Sequence, residues 1–575
     1  LSFKVEVRED KPLRGLQACS PLRGGFLSGS ARRRTAFEDK AEWRQENTAA
    51  MCNMEMNART FRRPDTDARR EAPDEMTVPN GERDGTMENE KQFVRYEDFG
   101  AAGDGETDDM EAICAAHAYA NAHGLPVKTK PDATYYIGPK ALTAVIETDV
   151  DWSTTRFTID DTAAENHKLP CFHVKSVHQP FEPIIPSLTR DQKQLDLRLE
   201  NDSYVLVTNA NVKRFIRFGL NQNNGTSQTD CFIVKQDGSI VSPVDWDYEE
   251  ITSAEAWPID RMVLKIRGGV FTTIANRGES KYDYYGRGID ITRSNTVVDG
   301  LTHYIAGEVG HGSPYRGFLN AMRCAYVTIQ NCFVSGHKIY TTIGSAGEPV
   351  MMGSYDLHAN SVIDFRLVNC RMNHITDRTR WGVVASNFCK NILVENCVIS
   401  RLDAHMGVSG LYSIKDSTIG WMGVKAIGRG LLTLDRVVSY GNALVEFRSD
   451  YGSTWEGDVV IRDCTWIPSG GGARTPELFS MRNNGMHDFG YLCHMPRNVM
   501  ITNLHIDDSN VPEDYDGLYL FSDPDGNRSY EAARPYPYIP CKKVTCQHIT
   551  TASGKPPKLC RNPAPFAKTE VVISE

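Results

Sequence analysis

The 575-residue sequence predicts an all-β chain: a right-handed, single-stranded parallel β-helix with an N-terminal capping helix and a β-rich insertion. Three observations predict it. A short apolar motif ending in Asn or Asp recurs from residue 296 onward. A Gly-rich turn running into a single helical segment opens the ordered part of the chain at Tyr96. A chain of this length, finally, fits one domain only if that domain is a repeat or solenoid.

Residues 1–92 differ in character from the rest of the chain. They are dense in Arg, Glu, Asp and Met, with few β-branched residues and no clear period. Such a segment buries too little apolar surface to offset its ordering entropy, so it reads as a disordered or non-native leader, with Met51, Met76 or Met87 as candidate internal starts.

Residues 93–177 form the opening module of the β-helix. Asp98-Phe99-Gly100-Ala101-Ala102-Gly103-Asp104-Gly105-Glu106-Thr107-Asp108-Asp109 leads into Met110-Glu111-Ala112-Ile113-Cys114. Thr107 or Asp108 can cap a helix over roughly 108–123, which stops at Gly124. Extended segments come next at 126–128 and 135–137. Over 96–138 the pattern resembles the opening of the pectate-lyase-like superfamily, close to D-F-G-A-x-G-D-G-x-x-D-D before a capping helix. The resemblance implies a parallel β-helix that handles carbohydrate, with the helix as lid on its open end. Gly103-Asp104-Gly105 reads as a structural turn in preference to a calcium loop.

Residues 178–260 break the pattern. Short strands at 204–207, 215–218, 231–234 and 239–241, joined by polar turns such as 221–225, indicate antiparallel hairpins. This is the β-rich insertion, expected to pack near the N-terminal end of the helix. Residues 261–550 carry the coils. Val327-Thr328-Ile329-Gln330-Asn331-Cys332, Phe365-Arg366-Leu367-Val368-Asn369-Cys370 and Ile392-Leu393-Val394-Glu395-Asn396-Cys397 show the motif most fully. Its Asn or Asp anchors fall at 299, 331, 369, 396, 416, 435, 463 and 503. A coil needs about 20 residues, so the closest anchors (396, 416 and 435) mark bare coils and wider intervals carry loops. Alternation turns one side of each strand inward, the anchor suits a turn, and Cys332, Cys370 and Cys397 stack as small internal side chains rather than as disulfides. Residues 551–575 are left as a tail.

A formal net charge of -10 disfavours nucleic acid, whose binders carry a basic face. No apolar run reaches membrane-spanning length. The 15 cysteines are scattered without a CxxC pair, which argues against a zinc cluster. With no visible signal peptide they point weakly to the cytoplasm, or to secretion if the N-terminus is incomplete. No cofactor is expected; calcium is an option that no clear motif supports, since the acidic residues 507, 508, 514 and 516 read as a solvated loop. The oligomeric state is left open.

Equal offsets from the anchors approximate neighbours on successive coils, and they gather Arg, His, Asp and aromatic residues between 374 and 455. That mixture suits a polysaccharide partner, with aromatic rings to stack and Arg to meet acidic sugars. The candidate catalytic set is His405, Arg380, Asp403, Arg429, Arg448 and Tyr451. His405 is the preferred base because imidazole titrates near neutral pH, and Tyr451 or Lys425 is its partner. The substrate-binding set is His374, Asp377, Arg378, Trp381, Arg401, Trp421, Lys425, Asp450, Trp455 and His487. The leading function is β-elimination of a uronate-containing polysaccharide. A glycoside hydrolase using Asp377, Asp403 and Asp450 is the alternative. Gly310-His311-Gly312 matches a polygalacturonase motif only in isolation. A third reading is a non-catalytic glycan-binding or tailspike-like protein, disfavoured by a C-terminal stretch without a visible trimerisation region.

Overall fold

The computed structural model describes residues 92–574 except 243, 469–474, 484, 486, 510, 512–513 and 525–537. The leader expected over residues 1–92 lies, but for its last residue, outside them. The described chain is a parallel β-helix. Strands Leu319–Gln330, Tyr355–Val368, Val383–Glu395, Val398–Lys415, Gly428–Asp435, Trp455–Trp466, Asn498–Ile506 and Lys543–Thr551 stack in parallel, coil upon coil. Val327, Phe365, Ile392, Tyr412, Leu432, Val459, Val499 and Val544 fall in one register and are all buried. The hydrophobic core is therefore a column of equivalent residues running the length of the stack. Glu570–Ser574 pairs in parallel with Lys543–Thr551, so the stack runs on into the segment expected to be a tail.

The repeated Asn explains how each coil turns. Asn331, Asn369, Asn396, Asp416, Asp463 and Asn503 all adopt left-handed φ near 50°, a conformation Asn and Asp tolerate better than other non-glycine residues. At the other two anchors the left-handed residue is the next one along, Gly300 and Arg436. The left-handed turns at 396, 416 and 436 define two successive bare coils of equal length. The side chains also form a ladder: Asn331 Nδ2 donates to Asp299 Oδ1 at 2.7 Å, Asn369 to Asn331 at 2.7 Å and Asn396 to Asn369 at 3.2 Å. Asn369→Gly should therefore lose only ladder bonds, about 1 kcal/mol, whereas Asn369→Ala should lose about 1 kcal/mol more, because alanine tolerates left-handed backbone less well than asparagine or glycine. Urea unfolding of the two variants reads the difference. Just inside the turn, Cys332, Cys370 and Cys397 are buried free thiols, and the Cys370 amide donates to Cys397 Sγ at 3.4 Å.

The long strands are bent. Ser361 and Asp364 in one coil, Phe388 and Asn391 in the next, have positive φ, which redirects each strand from one face of the helix to the next. At the N-terminal end the helix Met110–His123 packs Met110, Ile113, Ala116 and Ala120 onto the first coil and stops at Gly124, φ 64°. Thr107 does not cap it. Asp108 Oδ1 accepts the Met110 amide at 3.2 Å, and Asp109 instead ties the preceding turn through the Ala102 and Gly103 amides.

Residues between the coil strands Phe172–Val174 and Leu264–Ile274 contain an antiparallel sheet of Ser203–Arg214, Thr226–Val234 and Ser253–Pro258. One side holds its own core around Val205, Val207, Phe232 and Tyr248. The other packs Tyr204, Cys231 and Ile233 against Ala325 and Ile363, and Phe215 packs against Phe388, Ile427 and Tyr451. The sheet thus covers the middle coils rather than the N-terminal end. Buried Lys390 bridges Asp230 at 2.8 Å and Asp245 at 2.7 Å, joining the two parts.

Candidate active site

The strand segments that precede the bends place outward side chains of successive coils in rows. Asp403 pairs in register with Lys425, and Lys425 with Glu446, so three charged residues from three coils line up. Arg401 lies two positions before Asp403 on the strand Val398–Lys415, and Arg448 and Asp450 come just after the strand Val445–Phe447. Arg401, Lys425, Glu446, Arg448 and Asp450, together with Trp381, Trp421, Met351 and Asn442, line a cleft of about 360 Å³, and Asp403 is buried against Arg401 and Arg448.

The charges here form a chain of four ion pairs and, apart from it, the pair Lys425–Glu446. Arg401 Nη2 meets Asp403 Oδ2 at 2.5 Å, and Arg448 Nη1 reaches both Asp403 oxygens at 2.9 and 3.0 Å. Arg448 also grips Asp450 through Nε and Nη2, at 3.0 and 2.7 Å, and Arg217 closes on Asp450 at 2.8 Å. Lys425 pairs with Glu446. Burial alone would raise these carboxyl groups, but the cations outweigh it. Arg401 and Arg448 hold Asp403 at about 2, Arg448 and Arg217 hold Asp450 low, and Lys425 lowers Glu446. Lys425 moves in the opposite sense. Burial, with Arg401 and Arg448 nearby, pushes its amine below the ordinary lysine value despite Glu446.

The cleft brings together Arg401, Lys425, Arg448, Asp450, Trp381 and Trp421 from the expected set, with Asp403 buried against the two arginines. Arg378 is exposed with its guanidinium 6.0 Å from the Trp421 ring centre, and Arg401 stands 5.7 Å from that of Trp381. Trp381 and Trp421 both carry buried indole N–H groups without a hydrogen-bond partner among the described residues. Arg380 lies behind this wall, facing Glu308 at 3.5 Å.

Several expectations change. His405 sits edge-on to Tyr451 at 5.9 Å, but burial and then Arg448 push its imidazole down to about 3. It is neutral at physiological pH and too weakly basic to take a proton there. Tyr451 is buried beneath the cleft, where desolvation drives its phenol well up. Arg429 faces the insertion and pairs with Glu456 at 3.4 Å, on a different side of the coil. Trp455 points into the coil interior, with its indole donating to the Asp458 carbonyl, so it meets no substrate. His374 is an exposed loop residue with φ 52°, and Asp377 accepts from Thr379 within the same loop. His487 packs beside Phe218 and Phe489, outside the cleft. His311, exposed, contacts the Gly278 carbonyl. Asp508 is occupied by Tyr515 and Ser553, and among the described residues no group of three His, Cys, Asp or Glu side chains is placed to hold a metal.

One residue lining the cleft, and two that touch its lining from outside, had no place in the sequence reading. Glu446 was legible, as the outward position in Val445-Glu446-Phe447. Tyr355 packs against Trp381, and its phenol, raised by burial and Asp403, lies within electrostatic reach of Arg401 and Arg448. Arg217 comes from the insertion and carries no local signal.

No protein-family model matches the chain. A curated relative, described as a capsule KL64-specific depolymerase of Klebsiella phage P510, is 28% identical over 125 residues, 20% of this chain and 12% of that protein. The match therefore spans about an eighth of the relative's length. Among solved structures, the tailspike gp49 of Pseudomonas phage LKA1 superposes with a TM-score of 0.46 at 13% identity, covering 80% of this chain and 81% of that one. The tailspike gp61 of Pseudomonas phage phi297 gives 0.45 at 12%, covering 84% of each. The Gp54 tailspike of Acinetobacter baumannii bacteriophage AP22, solved with A. baumannii capsular saccharide, gives 0.43 at 11%, covering 83% and 79%. The parallel β-helix itself is established by the strand register.

Proposed function

We propose that the chain is a depolymerase of an acidic, uronate-containing polysaccharide of the bacterial-capsule kind, and that it cleaves by β-elimination in the Lys425–Glu446 cleft. The capsule specificity of the curated relative supports the substrate class. One observation carries the reaction type. Neighbouring cations hold the carboxyls of Asp403, Asp450 and Glu446 below their ordinary values, while burial shifts the Lys425 amine below the ordinary lysine value. Hydrolysis by paired carboxyls needs one of them protonated near neutral pH. Asp356, which burial pushes up to about 7, has no exposed surface and does not line the cleft.

In the elimination, Arg401 and Arg448 face the uronate carboxylate and stabilise the charge that builds on it. Lys425, once its amine has released its own proton, takes the proton from the ring carbon beside that carboxylate. The electron pair released forms a carbon–carbon double bond to the next ring carbon as its bond to the glycosidic oxygen breaks. Tyr355, whose phenol keeps its proton, protonates the departing oxygen. Trp381 and Trp421 wall the cleft and exclude water.

Incubation with a panel of capsular and other uronate polysaccharides tests this. The expected product is an unsaturated oligosaccharide absorbing in the ultraviolet. New reducing ends without that absorbance would replace elimination by hydrolysis, and binding without any product would remove both enzymatic readings.

A further inference from the structure

Beside the cleft lies a surface that the proposed reaction does not use. The segment after Arg217 leaves the insertion sheet and turns over Phe218, Leu220 and Asn221. It meets the hairpin Thr341–Ile343 and Pro349–Met351: the Ala346 amide donates to the Leu220 carbonyl at 3.1 Å, and Ser345 Oγ to the Gln222 carbonyl at 2.7 Å. Asn221 Nδ2 donates to the Tyr282 hydroxyl at 3.0 Å, which holds that ring against the same turn. The result is a cluster of large apolar side chains left open to solvent: Phe218 at 46%, Leu220 at 51%, Ile343 at 60% and Met351 at 50% exposure, with Tyr282 beside them. A soluble surface seldom gathers so many without a partner.

Two features say what covers it. The patch is continuous with the cleft at both ends, since Arg217 reaches Asp450 and Met351 itself lines the cleft wall. It also mixes aromatic rings with side-chain amides, the combination that meets both the apolar faces and the hydroxyl groups of sugar rings. We propose that Phe218, Tyr282 and the hairpin tip form an outer platform that holds the sugar units of a long polysaccharide beyond those in the cleft. This rests on the reading of the cleft as a depolymerase site. The platform residues are positioning residues: they decide how tightly a long chain is held and take no part in bond breaking.

Phe218→Ala and Tyr282→Ala, singly and together, are the variants, because both side chains are exposed and the fold does not depend on them. On the polymer that the parent chain degrades, the double variant should raise KM about tenfold, with kcat unchanged and turnover of short oligosaccharides unaffected. Affinity electrophoresis in gels containing polygalacturonate, hyaluronan or alginate provides a readout free of catalysis. The parent should be retarded and the double variant should run ahead of it, even if no polymer is cleaved and the depolymerase reading falls. Retardation by none of these polymers, or equal retardation of parent and variant, would overturn the platform. So would a drop in oligomeric mass by light scattering, since the patch would then be a contact between copies of the chain.

Discussion

Lys425→Met is expected to lose about a hundred- to ten-thousandfold in kcat on the depolymerised polysaccharide, the range for removal of a general base. The fold should hold. Glu446, the partner left behind, has a side chain that is 40% exposed and can be rehydrated. Lys425→Arg discriminates between roles. Arginine keeps the positive charge but cannot give up its proton at any working pH, so it should be as inactive as methionine if the lysine is the base. Full activity in the arginine variant would reduce Lys425 to an electrostatic contact. The pH profile gives an independent reading. In the parent, kcat/KM should climb as the pH rises toward the lysine's lowered value and level off below the ordinary lysine range. Both variants should lack that limb.

The second large effect concerns stability. Asp403→Ala should cost about 3–5 kcal/mol, because it leaves the buried guanidiniums of Arg401 and Arg448 without the carboxylate between them. Chemical denaturation against the parent measures it. The same carboxylate sets an acid limit. Its value falls from an ordinary 3.8 to about 2 on folding, so its contribution is complete above 3.8 and drains away as the pH falls toward 2. The linkage is worth about 2 kcal/mol. Asp403→Asn should be less stable than the parent at neutral pH and show a weaker dependence below pH 4.

The coil stack could be read from the sequence because its signal is local and repeated. Where a cysteine comes directly after the anchor, as at Asn331, Asn369, Asn396 and Asp463, the turn is located correctly. Where Gly300 or Arg436 takes the left-handed position instead, the reading slips by one residue. The site was less legible for a related reason. Counting offsets from an anchor assumes that every coil turns at the same rate, whereas the positive-φ residues at 361, 364, 388 and 391 bend strands within a coil. On the bend-free stretch from Arg401 to Asp403, Arg401 reaches the cleft wall and Asp403 is buried beside it. Arg429 and Trp455, counted across bends and a loop, fall on another side of the coil and inside it. The proposed base is Lys425 rather than His405 because desolvation acts in three dimensions, on a group whose neighbours come from Arg448 and beyond. Arg217 reaches Asp450 from the far side of the insertion, a proximity that no spacing encodes.

The lysine bridge between Lys390, Asp230 and Asp245 also orders events in time. Closing a bare coil joins residues about 20 apart, while bringing Asp230 to Lys390 closes a loop of about eightfold greater length, at a further cost of about 2 kcal/mol in chain entropy. The short coils around Asn396, Asp416 and Arg436 therefore have the smallest barrier to forming and serve as the natural place for folding to begin. The insertion sheet is expected to dock onto them afterwards. Arg217, carried in on that sheet, reaches Asp450 only in this last step, so the cleft is completed when the slowest-closing part of the chain arrives.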